Sequence, residues 1–234
     1  MYGTYRYPIA IEEESISIEV TEEDGLFIYR RVCGDDTREC VISSPDGELI
    51  INPVEPVNLP KEVTRFMELD FDPIVMSPES SDIFYLTFPV EIGVFFKSGR
   101  DVSVLDIFSQ VPAKYSLYGS PKAGVVVRWH KSDIYKKMPE VDNLREGVIS
   151  LKIINPEKDI LEVSKAVFDS YGMKIFYNDW YATMSVELKL FPKGEAETRF
   201  VNAPIIEGTE RTIELYYARD IPVVGKFYTM RWGY

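Results

Sequence analysis

The sequence predicts an all-β protein of two tandem, duplicated β-sandwich units, immunoglobulin-like or jelly-roll-like, with at most one or two short helices. Three observations carry this expectation. The tetrapeptide Ile-Ile-Asn-Pro occurs twice, at 50–53 and 153–156, and each copy is followed by an echo, Glu62-Val63-Thr64-Arg65 and Glu162-Val163-Ser164-Lys165, at offsets of 103 and 100 residues. A repeat of roughly a hundred residues is the length of one sandwich. Apolar and polar residues alternate through several short segments, as on half-buried strands. Fifteen prolines and frequent Gly-containing turns interrupt any long helix.

The elements follow from these patterns in chain order. Ile16, Ile18 and Val20 alternate with Ser17 and Glu19, which makes the first clear strand. Residues 34–39, between Cys33 and Cys40, read as a hairpin tip. Asp46-Gly47 precedes the first repeat tetrapeptide and Glu146-Gly147 the second. In 63–71 the alternation of Met67, Leu69 and Phe71 predicts a strand. Its counterpart, 159–172, has a capping-box pattern and a stop glycine, Gly172, but duplicated units share their structure, so both segments are expected to be strands.

Residues 84–96 are nearly all apolar and predict strands buried on both faces, with Pro89 marking an edge, a bulge or a bend. Val125-Val126-Val127 predicts another buried run. Short helices are expected near 102–108 and 132–138. Leu151 and Ile153, the segment 184–190, and Ile213 with Leu215 alternate as strands, and 228–234 reads as a final docked strand. Pro112, Gly119 and Pro121 interrupt the pattern, which puts the boundary between units 1–112 and 113–234.

The net charge of −12 repels phosphate backbones and anionic lipid surfaces, so no nucleic-acid partner is expected. Seven acidic residues and no Lys or Arg fall in 12–24. A solvated strand face is the ordinary reading of such a run, and a docking surface for a basic partner the alternative. No apolar run is long enough to cross a bilayer, and the first residues lack the apolar segment of a signal peptide, so no membrane insertion and a cytoplasmic location are expected.

Little of the sequence points to catalysis. His130 stands alone, which leaves no multi-histidine metal site. No Gly-x-Ser-x-Gly elbow places a serine beside it, and no Gly-rich phosphate loop occurs. Asp35-Asp36 and the pair Asp70 and Asp72 lack a calcium-loop pattern and read as turn formers. No catalytic residue, metal or cofactor is assigned. The candidate contact site is the loop Tyr177-Asn178-Asp179-Trp180-Tyr181, where the first half has the small polar stretch 77–81. Aromatic faces beside Asn and Asp suit a sugar ring or a protein hot spot; the alternative is packing between the halves. Cys33 and Cys40 stand as two free thiols or as a disulfide closing the hairpin tip.

The opening Met1-Tyr2-Gly3, the stretches 53–62 and 88–95, and Lys114-Tyr115-Ser116-Leu117-Tyr118-Gly119 resemble an archaeal family of uncharacterised proteins. The resemblance covers most of the chain and carries no activity or site residue with it. It implies an archaeal cytoplasm, and with that a raised chance that Cys33 and Cys40 are bridged. The function expected is a non-enzymatic binding or scaffolding protein whose partner is a protein or a second copy of itself. Carbohydrate or small-ligand binding is the alternative, and an enzyme with a carboxylate or metal site the third reading.

Overall fold

Alternation builds sheets in the computed structural model, which describes residues 1–44, 46–218 and 228–230. The first ten strands are β1 (Gly3–Arg6), β2 (Ile9–Glu13), β3 (Ile16–Glu23), β4 (Leu26–Cys33), β5 (Asp36–Ile42), β6 (Glu48–Val54), β7 (Phe66–Met76), β8 (Ser80–Pro89), β9 (Glu91–Ser98) and β10 (Asp101–Phe108). They are followed by β11 (Lys114–Tyr118), β12 (Val125–Lys131), β13 (Glu146–Asn155), β14 (Leu161–Asp169), β15 (Phe176–Tyr177), β16 (Ala182–Phe191), β17 (Glu195–Val201), β18 (Glu210–Arg211) and β19 (Tyr228–Met230). One four-residue helix, α1 (Leu215–Ala218), and two single 3-10 turns complete the described elements. The protein is all-β, as its patterning requires.

The strands form four sheets. Sheet A has the order β1-β6-β9-β10 and sheet B is the meander β2-β3-β4-β5. Sheet C runs β11-β12-β7-β14, with β12 parallel to β7. Sheet D is built on β8-β13-β16, with β13 parallel to β16; β15 and β18 extend one end of β16, and β17 and β19 flank the rest. One core lies between sheets A and B, where Ile18, Val20 and Tyr29 meet Leu49, Ile51 and Val94. A larger core lies between C and D, where Met67, Leu69 and Phe168 meet Leu86, Leu151 and Leu188. A third cluster covers the outer side of sheet A, where Leu215 of α1 packs with Val54, Val57, Phe95 and Ile107.

The two sandwiches are interleaved along the chain. The A–B sandwich takes β1–β6 and then β9–β10, whereas β7 and β8 pair with β12, β14 and β13 in the C–D sandwich. A cut at residue 112 therefore separates β7 and β8 from their sheets. Pro89 ends β8, and Glu91 starts β9 in another sheet, so this proline stands at the bend where the chain changes sandwich.

Both ambiguous segments are strands, β7 and β14. The two expected helices are absent: 102–108 lies within β10, bonded along β9, and 132–138 is irregular apart from a bridge between Tyr85 and Tyr135. Cross-strand pairing outweighs local propensity at 102–108, and the single bridge to Tyr85 holds Tyr135 extended. The alternation at 213–215 is likewise not a strand, because Leu215 opens α1 and the Ile213 amide bonds the Asn52 side chain instead of a neighbouring backbone. Val126 is 37 % exposed and so is not part of a buried run. Of the expected final strand, Tyr228–Met230 pairs with β17, and 231–234 lies outside the described residues.

The disulfide expectation is corrected by register. Cys33 lies opposite Asp36, and Cys40 opposite Tyr29, four positions further back along β4. Four strand steps are about 14 Å, twice the largest Cα separation a disulfide spans, about 7 Å. Both thiols are free, half-buried, and raised by burial above the usual thiol range.

The repeat tetrapeptides occupy matching ends of β6 and β13. Asn52 and Asn155 are both buried hubs: Asn52 Oδ1 accepts the Ile213 amide at 3.2 Å, and Asn155 Nδ2 donates to the Ser77 and Asp159 carbonyls at 2.9 Å each. The preceding glycines are matched too. A Cβ on Gly47 would sit 2.1 Å from the Phe96 ring, and one on Gly147 2.4 Å from the Phe88 ring, so each glycine is required by a neighbouring phenylalanine. The surroundings differ in sense: both neighbours of β6 are antiparallel, whereas β13 has one parallel neighbour.

Candidate functional site

The β11–β12 hairpin forms one edge of sheet C, and its chemistry differs from that of the rest of the molecule. Residues 107–132 contain Lys114, Lys122, Arg128, Lys131 and His130 and no Asp or Glu, in a chain of net charge −12. This acid-free run is the signal that patterning for strands and catalytic motifs passes over. Lys114 and Lys122 have no acid within ion-pair reach among the described residues. Lys131 lies 4.0 Å from Asp72.

Strand geometry divides the hairpin into two faces. Alternate residues share a side, and directly opposed residues share it too. Tyr115 opposes Arg128 and Leu117 opposes Val126, so Tyr115, Leu117, Val126, Arg128 and His130 lie on one face. Three of them are large exposed apolar groups: Tyr115 at 44 %, Leu117 at 49 % and Val126 at 37 %. Beyond its ladder to β12, no backbone group of residues 114–117 is hydrogen-bonded among the described residues. Among the described residues the outer side of β11 is therefore a free sheet edge.

Arg128 and His130 of this face, with Lys114, Trp129 and Lys131 of the other, line a pocket of about 350 Å³ at the junction of the sandwiches. Pro89, Val111, Pro112 and Ala113 contribute its apolar lining, and Arg128, His130 and Glu146 its polar lining. The guanidinium of Arg128 is buried and bonds Glu91, which opens β9 and also accepts the Asn58 amide at 2.9 Å. Here a side chain of sheet C is tied to a strand of sheet A. His130 Nε2 lies 2.9 Å from Thr87 Oγ1 of β8 and 3.7 Å from Glu146 Oε1 of β13. Burial, reinforced by the charges of Arg128 and Lys114, pushes His130 down to about 4, so its ring is neutral at pH 7. Burial, with Asp142 adding to it, raises the Glu146 carboxyl above the usual carboxylate range.

The groups around His130 are not arranged as a nucleophilic triad. In a nucleophilic triad the hydroxyl and the carboxylate address opposite nitrogens of the imidazole. Thr87 and Glu146 approach the same nitrogen. Ser132 Oγ is already employed, accepting the Thr87 amide at 2.7 Å and donating to the Asp133 carbonyl at 2.6 Å. Among the described residues no group of three or more His, Cys, Asp or Glu side chains could hold a metal ion.

The loop singled out in the sequence lies elsewhere. Tyr177 is buried edge-on to Tyr2 with centroids 5.6 Å apart. Asn178 Oδ1 accepts the amides of Trp180 and Tyr181 at 2.9 Å each, which shapes the turn. The Asp179 carbonyl accepts Asn143 Nδ2 at 2.7 Å, while its side chain is exposed. Trp180 is 75 % exposed and Tyr181 half-buried. Packing between the halves thus accounts for Tyr177 but not for Trp180.

One further buried group is set apart by its environment. Glu55, just past β6, is 1 % exposed. Its Oε2 accepts the Leu215 amide at 3.0 Å, and its Oε1 has no partner among the described residues. Burial, with Glu214 adding to it, pushes this carboxyl up to about 8 against the Leu215 hydrogen bond and the Lys174 charge. Glu214 itself takes Lys174 at 2.9 Å and bonds Arg211.

Fold and site together define a double β-sandwich with a basic, open-edged hairpin beside a pocket of mixed polar and apolar lining. By sequence, the chain belongs to the family described as "Protein of unknown function (DUF432)", whose model matches residues 1–231. No curated protein and no solved structure matches it. Among the described residues no helix is long and apolar enough to cross a membrane.

Proposed function

We propose that this protein is a non-enzymatic binding module whose partner is another protein, engaged through the β11–β12 edge of sheet C. The observation that carries the reading is the free edge of β11, with Tyr115, Leu117 and Val126 exposed together beside it. Exposed edges invite pairing with another chain, and proteins that do not use them cover or blunt them. An exposed apolar cluster next to a pocket marks an interaction site more often than chance exposure does. The resemblance supports an archaeal cytoplasm as the setting. The paired glycines and asparagines support descent of the strands around β6 and β13 from one duplicated unit, for all the later divergence in pairing.

Photo-crosslinking tests the reading. A photoreactive residue replaces Leu117 in one variant and Val32, comparably exposed on sheet B, in another. Irradiation in cell extract is expected to give discrete protein adducts from position 117 and none from position 32. Equal labelling from both positions, or none from 117, overturns it.

Carbohydrate binding at the Trp180 loop is the second reading, favoured by the 75 % exposure of that indole. Quenching or a blue shift of tryptophan fluorescence on titration with oligosaccharides, lost in Trp180→Ala, would establish it.

A further inference from the structure

Resting on the protein-binding reading, we infer that the partner segment is an extended acidic peptide that adds to sheet C as a new strand beside β11. Three independent features point to this occupant. The first is the backbone: among the described residues nothing bonds the outer hydrogen-bonding groups of residues 114–117, and an incoming strand would pair with them. The second is charge. Lys114 and Lys122 stand at the two ends of the edge, one opening β11 and the other in the turn after it, each without an acid partner among the described residues. The run 107–132 holds Lys114, Lys122, Arg128 and Lys131 and no acid, and the charges of Arg128 and Lys114 add to burial in keeping His130 neutral, so this part of an otherwise acidic molecule is positive. Arg128 is matched by Glu91, so the charge open to a partner is that of the lysines. The third is the face itself. Tyr115 and Leu117 lie two residues apart, the spacing at which alternate side chains of a paired strand would meet them.

The recognised segment therefore alternates apolar residues, packing on Tyr115 and Leu117, with acidic ones that answer Lys114 and Lys122. Strand addition supplies backbone hydrogen bonds for affinity, and the lysines supply selection by charge and a salt-dependent on-rate. A positively charged segment would meet the same edge and be repelled.

The test uses the full chain and two labelled nine-residue probes: one alternating glutamate with valine and leucine, the other its lysine twin. Fluorescence anisotropy measures binding, and amide hydrogen exchange reports on residues 114–118. The acidic probe is expected to bind about tenfold or more tightly than its twin at low salt, and to lose that advantage near 1 M salt as charge is screened. Slowed exchange should be confined to β11. Lys114→Glu with Lys122→Glu, both surface changes that leave the fold intact, should reverse the preference, and Ser116→Pro should abolish strand addition. Equal binding of the two probes, no binding of either, or binding without protection of β11 overturns the inference. Binding equally well competed by single-stranded nucleic acid overturns it too, because the site would then read any polyanion. Adducts from position 117 together with a failed peptide test would leave the protein-binding reading standing and remove only the acidic strand.

Discussion

Two residues in this protein titrate far from their ordinary range, and both make stability depend on pH. Glu55 has a folded value of about 8 against 4.5 ordinarily, and His130 a folded value of about 4 against 6.5. A carboxyl raised by folding contributes stability that is complete below the unfolded value and lost as pH climbs through the folded one. A histidine lowered by folding works in the opposite direction: its contribution is present above 6.5 and lost as pH falls through 4. The two windows overlap, 4.5 to 8 for Glu55 and 4 to 6.5 for His130, and their slopes oppose, so the protein should be most stable between pH 4.5 and 6.5 and weaken on both sides. Glu55→Gln should remove the loss above pH 6.5, and His130→Gln the loss below pH 4.5. Denaturation midpoints measured from pH 4 to 9 check this, and parallel curves for wild type and Glu55→Gln would refute the buried proton. At the same scale, Leu188 is buried and its neighbour Lys189 exposed. Leu188→Asp should unfold the C–D sandwich by burying an unpaired charge, whereas Lys189→Asp should be nearly silent. Equal effects on the melting temperature would contradict the register.

Among the elements, the Arg128–Glu91 pair has a structural role distinct from that of the lysines nearby. Removing Glu91 leaves the Arg128 guanidinium buried without this counter-ion, at a cost of about 3–5 kcal/mol. Glu91→Ala should therefore cost that much, and replacing both residues by apolar ones of similar volume far less; chemical denaturation of the single and double variants decides it. What the sequence disclosed also sorts by element. Strands with a clear period of two, such as β3, β13 and β16, could be read directly, because burial on one face imposes that period whatever the tertiary context. The segment 102–108 could not, since β10 is held by its ladder to β9, and pairing partners leave no local trace. Leu215 and Ile213 alternate correctly but are held by Asn52 and Glu55, residues some 160 positions away. The site escaped for a different reason. A search for motifs looks for residues that are present, and the β11–β12 hairpin is marked by residues that are absent, the acids missing from 107–132. Trp180 drew attention as an aromatic in a loop, and it is indeed exposed, but the buried Tyr177 beside it belongs to the scaffold.

Across the whole molecule, the interleaved order of the strands governs how it can be dissected. Expressed separately, residues 113–234 should fail to give a cooperative unfolding transition, because sheets C and D would lack β7 and β8, whereas 1–112 keeps every strand of sheets A and B and leaves β7 and β8 without their partners. Mixed and refolded together, the two pieces should recover the transition of the C–D sandwich. A cooperative melt from 113–234 alone would show that this sandwich does not depend on β7 and β8. The connections after β6, β8 and β10 each carry the chain from one sandwich to the other, and Leu215 returns it to sheet A once more. The two bodies are thus stitched rather than strung. A protease that nicks any single connection leaves both fragments woven into the same particle. Such a nicked protein would elute as an intact molecule in native buffer and separate into two bands only after denaturation, so a loss in mass on a denaturing gel would not by itself signal a loss of binding.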